Sequence, residues 1–267
     1  MPESVSSLLP VPAHLAEGRI SLFLDFDGTL VNIADRHDAV VVPASLRALI
    51  AALARRLEGR LAVVSGRPAD EIVAYLHAGE SAPPFAIAGS HGLELRWTDG
   101  RREAPAPPGA VAAAVDAFRR LADVHSGIVV EDKPFGVALH YRQAPDIAPA
   151  AIALAERVAR EQGFSLQHGK MVCELRVAGA DKGDAVRRFL AEPPMAGSRP
   201  LFLGDDLTDE AGFVAADALG GAGILVGGCG ERQTAARYRL TDVAAVHDWL
   251  GRVADASLAH PSPEGSP

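Results

Sequence analysis

Leu22-Phe23-Leu24-Asp25-Phe26-Asp27-Gly28-Thr29-Leu30 is an apolar run that stops at two carboxylates two residues apart. Side chains of an extended strand alternate between its faces, so the spacing predicts a buried strand with Asp25 and Asp27 crowded together at its carboxyl end. Crowding like charges is unfavourable, and a divalent cation relieves it. Gly28 supplies the backbone freedom for a sharp turn, and Thr29 adds a hydroxyl where the chain leaves the strand. Such a pair suits phosphoryl transfer, with Asp25 attacking phosphorus as nucleophile and Asp27 acting as general acid/base toward the departing oxygen. An Asp-Gly pair also serves ordinary turns, so the stretch acquires its meaning from the rest of the chain.

Outward from it, short apolar runs alternate with helix-like segments. Residues 60–64, 85–88, 200–203 and 223–226 read as buried strands, and 43–58, 69–77, 182–190 and 209–219 as helices. This alternation predicts an α/β fold with a doubly wound (Rossmann-like) parallel-sheet core. Over 108–179 the rhythm changes to a helix (111–124), a paired-strand stretch, a second helix (147–162) and further paired strands, expected as an inserted smaller α/β cap domain. The expected organisation is an N-terminal extension over 1–18, a catalytic core over 19–107 and 180–255, a cap over 108–179 and a disordered tail over 256–267. The Pro-rich segment 104–108 and Ala178-Gly-Ala180 are the expected boundaries.

With 267 residues and 48% hydrophobic content the chain can bury a substantial core. A formal net charge of -8 and 5% aromatic content argue against a nucleic-acid surface, which needs basic stripes and stacking rings. The two cysteines, Cys173 and Cys229, have no metal or redox spacing, so a reduced, cytoplasmic setting is expected. The first 18 residues lack the pattern of a secretory signal and no stretch is apolar enough to span a bilayer, so no membrane partner is expected.

Three further signals follow the predicted strands, at the edge where open α/β sheets bind ligands. Val64-Ser65-Gly66-Arg67-Pro68 offers a hydroxyl and free backbone amides at a helix start, an anion seat in which Ser65 holds a phosphoryl oxygen; a Ser-Gly turn ahead of Pro reads equally well as structure alone. Asp181-Lys182-Gly183-Asp184 puts a lysine in the first turn of a helix, where the dipole disfavours cations; such conflicts concentrate at functional sites, and Lys182 can neutralise phosphoryl charge. In Gly204-Asp205-Asp206-Leu207-Thr208-Asp209-Glu210, Thr208 is expected as the helix cap, with Asp209 and Glu210 favouring its first turn. Asp205 and Asp206 lack that explanation. Together with Asp25 and Asp27 they make an oxygen-rich cluster suited to Mg2+, with Asp25, Asp205 and the Asp27 carbonyl touching the ion and Asp206 or Asp209 acting through water.

The set Asp25-Phe-Asp-Gly-Thr29, Ser65-Gly-Arg67, Lys182 and Gly204-Asp-Asp206 resembles the haloacid dehalogenase-like phosphatases. Within that superfamily, Gly89-Ser-His-Gly-Leu-Glu94, Leu139-His-Tyr-Arg142 and Gly204-Asp-Asp-Leu-Thr-Asp-Glu210 resemble the trehalose-6-phosphate phosphatases, over about residues 20–250. The resemblance implies magnesium-dependent hydrolysis of trehalose 6-phosphate to trehalose and phosphate under a mobile cap, with a small sugar phosphate as partner. Association with a trehalose-6-phosphate synthase stays unproven. Phosphatases of sucrose phosphate or mannosyl-phosphoglycerate, and a non-catalytic phosphosugar-binding domain, are the rival readings.

In the cap, strand alternation sets Lys170, Glu174 and Arg176 on one face and Met171, Cys173 and Leu175 on the other, joins Glu131 with Lys133, and joins His140 with Arg142. On pattern alone this is a solvated sheet face. The resemblance implies instead that Glu131, Lys133, Arg142, Lys170 and Glu174 grip sugar hydroxyls, that Gly92 and Glu94 line the pocket, and that Gly66 and Arg67 border the phosphate, Arg67 meeting it or pairing with a core carboxylate. His91 is given no acid/base role.

Overall fold

The computed structural model describes residues 3–4, 8–34, 39–77, 79, 82–169, 171–228 and 232–255. The expected tail over 256–267, Lys170 and Cys229 lie outside the described residues. The chain forms β1 (Glu3–Ser4), β2 (Leu9–Pro10), β3 (Ile20–Leu24), α1 (Ala44–Arg56), β4 (Leu61–Val64), α2 (Ala69–Leu76), β5 (Ala86–Gly89), β6 (Glu94–Arg96) and β7 (Arg102–Glu103). It continues with α3 (Gly109–Val124), β8 (Val129–Lys133), β9 (Gly136–His140), α4 (Ala148–Gln162), β10 (Phe164–Gly169) and β11 (Val172–Val177). After these come α5 (Lys182–Leu190), β12 (Arg199–Gly204), α6 (Glu210–Ala218), β13 (Ala222–Val226), β14 (Gln233–Thr234), β15 (Tyr238–Leu240) and α7 (Val243–Asp255).

Nine strands make the large sheet in the order β2-β15-β13-β12-β3-β4-β5-β6-β7. From β2 to β5 every pairing is parallel. The chain runs outward from β3 through β4 and β5 on one side and through β12 and β13 on the other, so the carboxyl end of β3 lies at the topological switch point where such sheets bind ligands. Alternation along β3 sends Leu22 and Leu24 to the face covered by α1, α2 and α7, and Phe23 to the opposite face, where it packs with Phe189 of α5, Phe202 of β12 and Phe213 of α6. Both faces being covered, the strands read as continuous apolar runs. In α1, Leu46, Ile50, Leu53 and Ala54 recur at helical spacing and are buried.

The parallel reading was incomplete. Short β6 and β7 extend the sheet antiparallel, and Leu9–Pro10, expected in an extension, pairs with β15. Two or three residues long and largely exposed or half-buried, these edge strands carry no periodic signal.

The second sheet is antiparallel, ordered β10-β11-β9-β8. Its inner face buries Val137, Leu139, Cys173 and Leu175 against Val111, Ala114, Val115 and Phe118 of α3 and Ala151, Ala155 and Val158 of α4. Glu174, Ala138 and Glu131 stand in register across β11, β9 and β8 on the other face. No helix among the described residues is long and apolar enough to cross a membrane.

Phe118 is fully buried beneath this smaller sheet. Phe118→Ala is expected to remove about 3–5 kcal/mol from the layer it supports, read as a shifted urea midpoint; an unchanged midpoint would deny the layer a core of its own.

Candidate active site

The carboxyl ends of β3 and β12 lie side by side, which brings Asp25 and Asp205 together. Asp25 shares the face of Phe23 and so points toward α5, whose first residue is Lys182. The Lys182 ammonium donates to Asp25 Oδ1 at 2.6 Å and to Asp209 Oδ1 at 2.6 Å. All three residues are nearly or fully inaccessible, at 3% for Lys182, 4% for Asp25 and 0% for Asp209, so the pairing occurs where water cannot screen it. One oxygen each from Asp25, Asp205 and Asp209 lie within 4.8 Å of one another.

Electrostatics follow from this crowding. Burial pushes the Asp25 carboxyl well above its ordinary range, and Lys182 only partly opposes this while Asp209 and Asp205 reinforce it. Asp205 is pushed up to about 7 by burial and by the charge of Asp209. Burial alone would lower Lys182, but the charges of Asp209 and Asp25 more than offset it and hold the ammonium protonated. Three carboxylates against one ammonium leave negative charge uncompensated, and Asp205 Oδ1 is buried without a hydrogen-bond partner among the described residues. Hard oxygen donors in excess of charge, one of them orphaned, fit a hard divalent cation.

Gly28 explains the close approach of β12. Its φ is +83°, and a Cβ there would stand 2.1 Å from Asp205 Oδ2, so only glycine admits that carboxylate beside the turn. Asp27 is engaged differently from Asp25. Arg67 donates through Nε to Asp27 Oδ2 at 2.7 Å and through Nη2 to Oδ1 at 2.9 Å, and its guanidinium lies near the rings of Phe26 and Tyr75. Arg67 thus pairs with a carboxylate, that of the cleft-lining Asp27, and itself lines the same cleft.

The expected cap at Thr208 is corrected. Asp206 caps a short 3-10 turn over Leu207–Asp209, accepting the amide N–H of Leu207 at 2.5 Å, and Asp209 completes the capping box from below. Asp209, read from sequence as a first-turn acid, accepts the amide N–H groups of Asp205 and Asp206 at 3.0 Å each through Oδ2 while Oδ1 takes Lys182. The carboxylates gathered around Lys182 are therefore those of Asp25, Asp205 and Asp209, with Asp206 at the rim and Asp27 on Arg67.

A cleft of about 240 Å³ lies over this cluster, with Asp25, Asp27, Lys182, Asp205, Asp206 and Thr208 on one side and Glu131, Lys133, Gln167 and Glu174 on the other. Gly66, Arg67 and His91 close a third side. On the upper wall Lys133 Nζ lies 2.8 Å from Glu174 Oε1 and 3.6 Å from Glu131 Oε1, and His140 Nε2 is 2.9 Å from Glu131 Oε2. Ala138 and Gly136, central in this face, leave room for the long side chains to converge between them.

Several expected residues stand elsewhere. Ser65 is buried, and its Oγ accepts the Arg67 amide N–H at 3.1 Å; it is not among the cleft-lining residues. Gly92 has φ +104° and packs on the Asp181 carbonyl, where a Cβ would come within 2.6 Å, and Glu94 Oε1 accepts from Ser90 Oγ at 2.5 Å. Gly92 seats the Ser90–Gly92 turn against the start of α5 and Glu94 ties that turn to β6; neither lines the cleft. Arg142 is exposed beyond the end of β9 and does not line it either. Gln167, Thr208 and His91 line it without having been expected to. Pairing of Gln167 with Glu174 would have revealed the first, had the hairpin register been readable.

The comparisons with known proteins agree with this geometry. A family model described as trehalose-phosphatase matches residues 23–244. A probable trehalose-phosphate phosphatase of Sinorhizobium fredii (strain NBRC 101917 / NGR234) is 44% identical over 216 residues, 78% of this chain and 77% of its own. The trehalose-6-phosphate phosphatase of Escherichia coli (strain K12) is 37% identical over 238 residues, 88% of this chain and 86% of its own. Among solved structures, a trehalose-6-phosphate phosphatase related protein superposes with a TM-score of 0.73 at 28% identity, covering 87% of this chain and 96% of that one. The C-terminal domain of a C. albicans trehalose-6-phosphate phosphatase gives 0.76 at 22% identity over 92% and 98%, a likeness of fold.

His91 carries a pH dependence. Burial, then the charges of Arg176, Lys182 and Lys133, hold its imidazole well below the ordinary value. The unfolded chain binds a proton below about pH 6.5 that the native state refuses, so this group withdraws stability as pH falls. Between pH 7 and 5, His91→Gln is expected to lose less stability than the parent, by up to about 2 kcal/mol, in urea titrations at both pH values; equal losses would remove His91 from the account.

Proposed function

Since the chain belongs to the trehalose-phosphatase family, we propose that it is a magnesium-dependent phosphatase that hydrolyses trehalose 6-phosphate to trehalose and phosphate through an aspartyl-phosphate on Asp25. The observation that carries this reading is the Lys182 ammonium held between Asp25 and Asp209 beside the orphaned oxygen of Asp205.

Asp25, Asp205 and the main-chain carbonyl of Asp27 would hold the ion. Both oxygens of Asp209 are taken by Lys182 and two backbone amides, so Asp209 acts through its charge and its grip on the loop. Bound there, magnesium supplies charge neutralisation for the phosphoryl oxygens. Lys182 adds a fixed positive charge beside the nucleophile. Asp25 forms a bond to phosphorus as the phosphorus–sugar oxygen bond breaks, and Asp27 gives that oxygen its proton. Asp27 then takes a proton from the water that attacks the aspartyl-phosphate, releasing phosphate and restoring Asp25. To do either, Asp27 must loosen one of its two contacts with Arg67. The wall formed by Glu131, Lys133, Glu174 and Gln167 offers both donors and acceptors, which suits a neutral, hydroxyl-rich disaccharide. Closing that wall over the cluster excludes water during transfer.

Phosphate release from a panel of sugar phosphates, with and without Mg2+, tests the reading. Trehalose 6-phosphate is expected to be preferred and chelation to abolish turnover; preference for sucrose phosphate or mannosyl-phosphoglycerate would reassign the wall. Asp25→Asn should keep the fold by circular dichroism yet lose roughly 10⁴- to 10⁶-fold in rate, the scale of removing a nucleophile; an active variant would refute the covalent step.

A further inference from the structure

The Asp205-Asp206 loop is gripped from both sides of its backbone. Its amides are taken by Asp209 Oδ2, and its carbonyls by a residue with no role so far. Arg232 donates through Nη1 to the Asp205 carbonyl at 3.3 Å and through Nη2 to the Asp206 carbonyl at 3.1 Å. The fork is itself aimed by Glu210, whose Oε1 accepts from Arg232 Nη2 at 2.7 Å while Oε2 accepts the Ala235 amide N–H at 2.7 Å. Neither Arg232 nor Glu210 lines the cleft. With amides and carbonyls both engaged, the peptide between Asp205 and Asp206 cannot flip, and the half-buried Asp205 carboxylate keeps one direction.

We infer that Arg232, oriented by Glu210, is a positioning residue for the divalent cation: it locks the backbone behind Asp205 so that this carboxylate is ready for the ion. A lone guanidinium near a cation site would repel the ion, and the Glu210 carboxylate cancels that charge, leaving a clamp without a barrier. Lysine cannot replace it, since a single ammonium lacks the planar fork that spans two carbonyls. The inference rests on the reading of Asp25 and Asp205 as the cation site.

Binding of Mn2+ as a spin probe, followed by the loss of its free EPR signal, tests this without turnover. Arg232→Met and Arg232→Lys are expected to raise the Mn2+ dissociation constant by about tenfold or more, the scale for residues that orient metal ligands. Glu210→Gln should raise it further, because it loosens the fork and uncovers its charge. Arg237→Met, which removes an exposed arginine paired with Asp217, should bind as the parent does. In turnover assays the Mg2+ dependence of Arg232→Met should shift to higher concentration in parallel. A parent that binds no Mn2+ would bring down the cation reading and this inference together. A parent that binds, with Arg232→Met and Glu210→Gln within twofold of it, would overturn this inference alone, as would a lowered melting temperature with unchanged affinity. If Arg232→Met does not fold, the isosteric Glu210→Gln decides.

Discussion

A single ammonium, Lys182 Nζ, lies 2.6 Å from a carboxylate on each of two sides, and the arrangement around it depends on that contact. Removing charged groups from water costs several kcal/mol each unless partners satisfy them. Lysine compensates part of the charge of Asp25, Asp205 and Asp209, and the uncompensated remainder shows in the raised proton affinity of Asp25 and Asp205. A site built with that deficit favours ligands that bring positive charge and, once they are bound, tolerates a phosphoryl group beside a carboxylate.

The fold supplies this cluster by geometry more than by local preference. Parallel β3 and β12 end together at the switch point, Gly28 lets their loops approach, and α5 starts where its first side chain can only turn inward. Asp181 and Asp184 cap that helix reciprocally, which offsets the unfavourable position of a cation in its first turn. Close contact of Gly183 with the Ala211 carbonyl brings α5 against α6 and hence Lys182 against Asp209.

What could be read in advance was whatever violated local expectation. Asp25 and Asp27 ended an apolar strand, and Lys182 opposed a helix dipole, so both stood out. Asp209 did not, because an acid at a helix start is what any helix favours; the same residue buried against an ammonium 27 positions away looks identical in one dimension. His91 was set aside as a loop histidine beside glycine. The left-handed φ angles of Ser90 and His91, +49° and +58°, which turn its ring into the cleft, leave no trace in composition. Gln167 escaped because the turn before β11 has no Asn-Gly pair to fix the hairpin register. Ser65, Gly92 and Glu94, expected at the ligand, do not line the cleft; they are held by the Arg67 amide, the Asp181 carbonyl and Ser90, contacts that no one-dimensional pattern announces.

The sheet face above the cleft carries two acids, Glu131 and Glu174, and two bases, Lys133, tied to both acids, and Arg176, which lines an adjoining pocket rather than the cleft itself. A surface whose charges cancel at contact range casts almost no field into solvent, so it does not steer diffusing anions. On the proposed reading, encounter is then governed by the core alone, and the wall discriminates only after arrival, when hydroxyl groups compete with its internal ion pairs. Under that reading other phosphate esters would reach the mouth as fast as the preferred one, and what would separate them is how long each stays.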